Sequence, residues 1–140
     1  MKNIHPLFIY GSNIETLKIS ENNPNYLVEN NILYNRDSTE KTKELIVPIY
    51  QTSTIETFEI PYRVTKIGQL TFHNQNKMKS IKIPETVTEI KNSFNYCNSL
   101  TKIEIPHSVI KINSTYFANS PNISEVIIKT NLQFYNKFRI

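Results

Sequence analysis

Glycine is almost missing from this chain. Gly11 and Gly68 are the only two in 140 residues. Loops that cradle phosphates bring backbone amides to the ligand through clustered glycines, so neither a P-loop nor a dinucleotide-binding fingerprint can be assembled here. Cysteine is scarcer still. Cys97 stands alone, which excludes an intrachain disulfide and leaves the redox compartment open. Tryptophan is absent, and no apolar run is long enough to span a bilayer as a helix. The opening Met1-Lys-Asn-Ile-His-Pro carries one lysine but no apolar stretch before Phe8, so a secretory leader is not expected, and the chain reads as leaderless or as a piece of a longer protein.

Acidic residues are the scarcer charge, 12 against 16 Lys and Arg, for a net charge of +4 and a pI near 9.1. The excess is dispersed. Lys129, Lys137 and Arg139 make the C-terminus basic and Lys77 lies near Lys79, but no dense basic cluster forms, so a solvated lysine-rich surface is expected and no nucleic-acid partner. The hydrophobic share of 39% and charged share of 20% are those of an ordinary globular chain of one domain.

What the sequence does have is a period. Pro61-x-x-Val64-x-x-Ile67 leads to Phe72 and to Met78-x-x-Ile81-x-Ile83, then begins again at Pro84 and at Pro106. The prolines stand 23 and then 22 residues apart, within the range of leucine-rich solenoids. The closing phrase, two apolar residues separated by one outward position, is the alternation of a strand with one face inward. It occurs five times, at Ile14/Leu17/Ile19, Ile55/Phe58/Ile60, Met78/Ile81/Ile83, Leu100/Ile103/Ile105 and Ile123/Val126/Ile128. In four copies an aromatic precedes by six residues (Phe8, Phe72, Phe94, Phe117), with Gly11, Gln75, Cys97 or Ser120 midway.

Each repeat carries about six large apolar side chains, worth about 1.5 to 3 kcal/mol apiece on burial, against roughly 1 to 2 kcal/mol per residue for ordering the chain. A lone repeat cannot fold, so stability belongs to the stacked array, with strands of successive turns paired in parallel. Proline cannot donate to a ladder, and each one marks a strand's end.

An ordinary leucine-rich repeat follows its strand with an asparagine or cysteine ladder, whereas here Pro-x-x-Val-x-x-Ile follows. In this the chain resembles the BspA-like (Treponema-type) leucine-rich repeats, whose units read approximately I-P-x-x-V-x-x-I-G-x-x-A-F-x-x-C-x-x-L-x-x-I-x-I. The match is close from Pro61 to Ile128, with Gly68 at the glycine position and Cys97 at the cysteine position. Upstream, Ser20 to Tyr26, Ile32 to Asn35 and Leu45 to Pro48 resemble the family's irregular unit with an inserted β-hairpin, placed near Tyr34 to Tyr50. Departures are Gln75 and Ser120 in place of cysteine and one residue missing between Ile90 and Phe94.

The resemblance implies a mainly β repeat solenoid: a right-handed leucine-rich-repeat coil of about 23-residue turns with parallel strand stacking and an inserted hairpin. The expected organisation is one domain over 1–140: a partial repeat over 1–19, an irregular repeat over 20–60, three regular repeats over 61–128, and a cap or tail over 129–140. Solenoid ends are apolar, so the tail (Leu132, Phe134, Tyr135, Phe138, Ile140), neighbouring sequence or a second copy is needed to cover the last turn.

No catalytic, cofactor or metal site emerges. His5, His73 and His107 fall at different phases of the repeat and are not expected to meet. Cys97 is expected to be buried and inert, and Glu59, Glu89, Glu104 and Glu125 to sit singly on exposed strand positions. The outward strand positions are the better candidates. Successive turns give Glu59, Lys82, Glu104 and Ile127 in one column and Thr57, Ser80, Lys102 and Glu125 in another, while Lys66, Glu89 and Lys111 alternate on the second stretch. Opposite charges in adjacent strands set register. The same face is the expected protein-binding surface, on a non-enzymatic interaction module for which the resemblance implies adhesion or cell-surface recognition. The alternative is a spacer within a longer solenoid.

Overall fold

The computed structural model describes residues 4–9, 12, 14–36, 43–48, 56–112 and 117–129. In it the 23-residue phrase becomes a β-solenoid whose turns each contribute two short strands. The alternating phrase forms β4 (Thr57–Glu59), β6 (Ser80–Lys82), β8 (Lys102–Ile105) and β10 (Glu125–Ile128). The Val-x-x-Ile half forms β5 (Val64–Ile67), β7 (Glu89–Ile90) and β9 (Lys111–Ile112). Pairing is parallel and in repeat register: β4 with β6, β8 with β10, and β5 with β7 and then β9. Pro61, Pro84 and Pro106 follow the first, second and third strands of the alternating set.

The core between the two strand sets repeats by column. Val64, Val87 and Val109 are fully buried, as are Ile67 and Ile90, and the rings of Phe72 and Phe94 stack 5.3 Å apart and nearly parallel. Phe117 continues the stack at 6.1 Å, and Phe58 meets Phe72 edge-on. Beside the rings runs a polar column. The Cys97 thiol donates to the Phe72 carbonyl at 3.2 Å, and the Ser120 hydroxyl donates to the Phe94 carbonyl at 2.8 Å while accepting from the Cys97 amide. A small side chain with a donor at this position satisfies a carbonyl of the preceding turn, which a buried backbone group requires. Just before it, Asn74, Tyr96 and Asn119 all adopt positive φ of 58 to 60°. Asparagine tolerates that left-handed turn, and tyrosine fits it poorly.

The N-terminal part is built differently. Asn30 and Asn31, both at positive φ, form the two-residue link between β1 (Tyr26–Glu29) and β2 (Ile32–Arg36), the geometry of a type I′ hairpin. β2 pairs antiparallel with β3 (Lys43–Pro48), and β3 pairs parallel with β5, so hairpin and solenoid share one six-stranded sheet of order β1-β2-β3-β5-β7-β9. The seam lies at Gly68. Its amide donates to the Leu45 carbonyl at 2.8 Å, and a Cβ there would come within 2.7 Å of that same oxygen.

Two expectations are corrected. Ile14, Leu17 and Ile19 form no strand; they are partly buried against a second apolar cluster of Ile9, Tyr26, Leu33, Ile46 and Val47. Phe8, in a 3-10 turn over Pro6–Ile9, is 42% exposed, and Ile9 takes the buried place. The hairpin presents its own apolar back to this segment, which packs across it instead of stacking as a further turn. Secondly, strand pairing along the alternating phrase is not continuous. β6 lies beside β8, yet the two belong to separate two-stranded sheets. That step spans the turn from Ile90 to Phe94, one residue shorter than its counterparts. A missing residue removes about 3.3 Å of extended chain, and it is the β6–β8 ladder that gives way, while the inward Ile81, Ile83, Ile103 and Ile105 of those strands stay buried.

Candidate protein-binding face

β4, β6, β8 and β10 send every second side chain outward. Thr57 and Glu59 on β4 and Ser80 and Lys82 on β6 are exposed, and register pairs them one to one. Their hydroxyls lie 3.2 Å apart, and the Lys82 ammonium sits 2.7 Å from the Glu59 carboxylate. On the other half, Lys102 and Glu104 of β8 lie opposite Glu125 and Ile127 of β10. Lys102 pairs with Glu125 at 3.2 Å. Lys102, Glu104 and Glu125 are exposed, but Ile127, expected to stand free on the face, is half-buried.

The eight residues therefore form two groups, not one column. The expected contact between Lys82 and Glu104 spans the interrupted step, and Glu104 instead pairs with Lys129. Lys129 holds the Glu104 carboxyl below its ordinary range through that hydrogen bond and its charge, and its own ammonium is pushed up by the same partner. Sequence reasoning missed Lys129 as a member of the face, and also Glu56 and Lys79, which pair at 3.0 Å beside the first group. The signal was present: Glu56 and Lys79 stand 23 residues apart, and Lys129 stands 23 after Pro106, where the earlier turns have proline. Exposed ion pairs of this kind contribute about 0 to 1 kcal/mol each. They fix register and leave the face electrically balanced.

On the second strand set, Lys111 pairs with Glu89 at 3.0 Å and Lys91 with Glu44 at 2.5 Å, joining solenoid to hairpin. The Glu89 side chain is largely covered, contrary to its expected exposure. Tyr34, named with the hairpin as a contact residue, is buried, because the β2 residues from Ile32 to Tyr34 lie in or between the two apolar clusters; Tyr50 is outside the described residues. Among the described residues the large apolar side chains that do reach solvent are others: Phe8, Tyr62 at 73% in the turn after Pro61, Ile110 at 75%, and Tyr96, whose ring meets His73 at 5.3 Å. Ile110 occupies a column filled earlier by Thr65 and Thr88.

Cys97 is fully buried, and burial pushes its thiol up to about 12. The reactive species is the thiolate, so at neutral pH this sulfur is a packing group and a weak donor. His73 lies against Tyr96 while His5 and His107 are exposed in other turns. Among the described residues no three His, Cys, Asp or Glu side chains gather as a metal ion would need, and no helix is long and apolar enough to cross a membrane.

Residues 48–139 match the model of the BspA type leucine rich repeat region in six copies. Among solved structures, a leucine-rich repeat protein from Eubacterium ventriosum is similar over 86% of this chain, with 27% identity and a TM-score of 0.69. A leucine rich cell surface protein from Faecalibacterium prausnitzii aligns over 76% at 18% identity and a TM-score of 0.44. The alignments span 32% and 40% of those two proteins. No curated protein matches. With the repeat phrase, the parallel two-strand turns and the family match in agreement, the chain belongs to the BspA-type leucine-rich repeats.

Proposed function

We propose that this chain is a non-enzymatic protein-interaction module that meets its partner through the outward face of β4, β6, β8 and β10. The observation that carries this reading is the display itself. Thr57, Glu59, Ser80, Lys82, Lys102, Glu104 and Glu125 stand at strand spacing on a rigid support, since the inward residues of the same strands are buried, with only β10 at the end partly so. Extended solenoid surfaces of this form suit recognition of another protein, and the family is a non-enzymatic scaffold. Adhesion or recognition at a cell surface is the setting that the family resemblance suggests.

The test is affinity for a partner recovered from native extract. Lys102→Ala/Ile127→Ser is expected to weaken binding while Lys77→Ala/Arg63→Ala, on the turns, leaves it unchanged. Equal affinity for the first pair with loss for the second moves the site to the turns. A second reading is favoured by one observation: the charges of the face already satisfy one another, Glu59 with Lys82, Lys102 with Glu125, Glu104 with Lys129. A face so balanced suits a spacer whose longer parent binds elsewhere. On that reading the parent protein loses no affinity in either double variant.

A further inference from the structure

We propose that the turn edge around Tyr96 binds a neutral oligosaccharide, with the tyrosine ring as the platform for one pyranose unit and the surrounding asparagines as partners for its hydroxyls. The distribution of charge supplies the first argument. Segments 67–76, 92–101 and 117–124, the turns that lead from the Val-x-x-Ile strands to the alternating strands, contain no Asp, Glu, Lys or Arg. His73, in the first of them, has its pKa lowered by burial and stays neutral at pH 7. An uncharged surface offers nothing to a phosphate backbone and little to steer a protein. It suits a ligand made of hydroxyls and C–H faces.

The edge presents amides and one ring. Asn76, Asn98, Asn119 and Asn122 are all exposed, and each carboxamide carries both a donor and an acceptor for a hydroxyl. Tyr96 stands among them, 43% exposed. Its amide donates to the Ala118 carbonyl at 3.1 Å, which sets it beside Asn119 of the next turn, and the His73 ring meets its own at 73°, which fixes its orientation. The axial C–H bonds of a pyranose make an apolar face that an aromatic ring covers, while the hydroxyls reach the flanking polar groups. Packing does not call for the tyrosine: Asn74 and Asn119 hold the same left-handed position in the adjacent turns, and at φ 60° a tyrosine is disfavoured. A side chain held against the preference of its backbone points to a use of that side chain.

The turns are tied together before any ligand arrives. The Asn74 amide donates to the Asn95 carbonyl at 2.9 Å, the Asn76 side-chain amide to Asn74 Oδ1 at 2.8 Å, and the Asn122 side-chain amide to the Asn98 carbonyl at 2.6 Å. Little further ordering is needed on binding, which favours a weakly held ligand such as a sugar. The site lies in the turns, so the inference is independent of what the strand face binds.

The test is to screen the full chain against an array of neutral hexose and N-acetylhexosamine oligosaccharides, with heparin as the polyanionic control, and then to titrate the strongest neutral binder by NMR. Neutral glycans are expected to bind and heparin not, with shifts centred on the amides of Tyr96, Asn98 and Asn119. Tyr96→Asn installs the residue that the neighbouring turns carry there. It is expected to keep or raise the denaturation midpoint and to weaken binding about tenfold or more. Tyr96→Phe, which retains the platform, and Tyr62→Ala, at the other exposed tyrosine, are expected to bind nearly as well as the unaltered protein. No binding to any neutral glycan overturns the proposal, as does unchanged affinity in Tyr96→Asn. Heparin binding that Lys77→Ala removes makes the edge a polyanion site and overturns it too. If Tyr96→Asn folds poorly, the shift map of the unaltered protein decides, since shifts centred on β4, β6, β8 and β10 contradict the site.

Discussion

The two halves of the six-stranded sheet obtain their register by different means. On the hairpin side, β1 and β2 are aligned by the two asparagines between them, so pairing follows from a choice made within about ten residues of chain. On the solenoid side, β5, β7 and β9 are aligned by residues 22 or 23 positions apart, and nothing local dictates which strands meet. Their register is held by columns of inward side chains and by the carbonyl-capping residues beside them. One side can be lost by changing a turn; the other fails only when packing fails.

Phe94→Ala should separate the two most sharply. The ring lies fully buried between Phe72 and Phe117 in the short turn, which has little slack to collapse into the cavity. Large aromatic truncations cost about 3 to 5 kcal/mol, and chemical denaturation should show a loss of that size. An unchanged midpoint would contradict the column assignment.

Gly68→Ala attacks the seam itself. The new methyl meets backbone, the Leu45 carbonyl at 2.7 Å, so β3 and β5 must move apart. The expected loss is about 1 to 3 kcal/mol. Exchange of the Gly68 amide should quicken more than that of Thr88, and equal effects would mean that the sheet yields as one body.

Asn31→Val, at φ 56°, places a β-branched residue in a left-handed turn, with an expected cost of roughly 1 to 2 kcal/mol. The effect should fall on the β1–β2 amides and leave those of β7 and β9 alone. Asn31→Gly serves as the control and should be nearly neutral.

The smallest effect is a titration. Lys129 holds Glu104 below the usual carboxylate range, so the pair's contribution is present above the unfolded-state value and is lost as pH falls through the lower folded value. Carboxyl NMR titration of Lys129→Gln should return Glu104 toward an ordinary value.

The columns were legible in the sequence because each inward position repeats a residue type, and Val64/Val87/Val109 or Phe72/Phe94/Phe117 leave few other alignments. The pairings Glu59–Lys82 and Lys102–Glu125 could be read from the same period. Three things could not be read so easily. The break between β6 and β8 depends on where the chain takes up one missing residue, which the deletion signals without locating. The fate of Phe8 and of Ile14 to Ile19 depends on the apolar back of the hairpin, and matching the repeat phrase says nothing of what is stacked beneath it. Asn30-Asn31 is a local turn signal that lies outside the period. The candidate face was visible as a set of positions, but Lys129 joined it from a column where proline was the rule.

The interrupted step between β6 and β8 has a mechanical consequence. A solenoid pulled from its two ends carries load through its ladders and its core, and at this one step the outer ladder is missing. The load there falls on the two-residue pairing of β5 with β7 and on the stacked rings of Phe72 and Phe94. Under tension between the two ends, the chain should part first at that step. The β8–β10 pair would come away as one block from the β4–β6 pair, and inserting one residue between Ile90 and Phe94 should raise the rupture force.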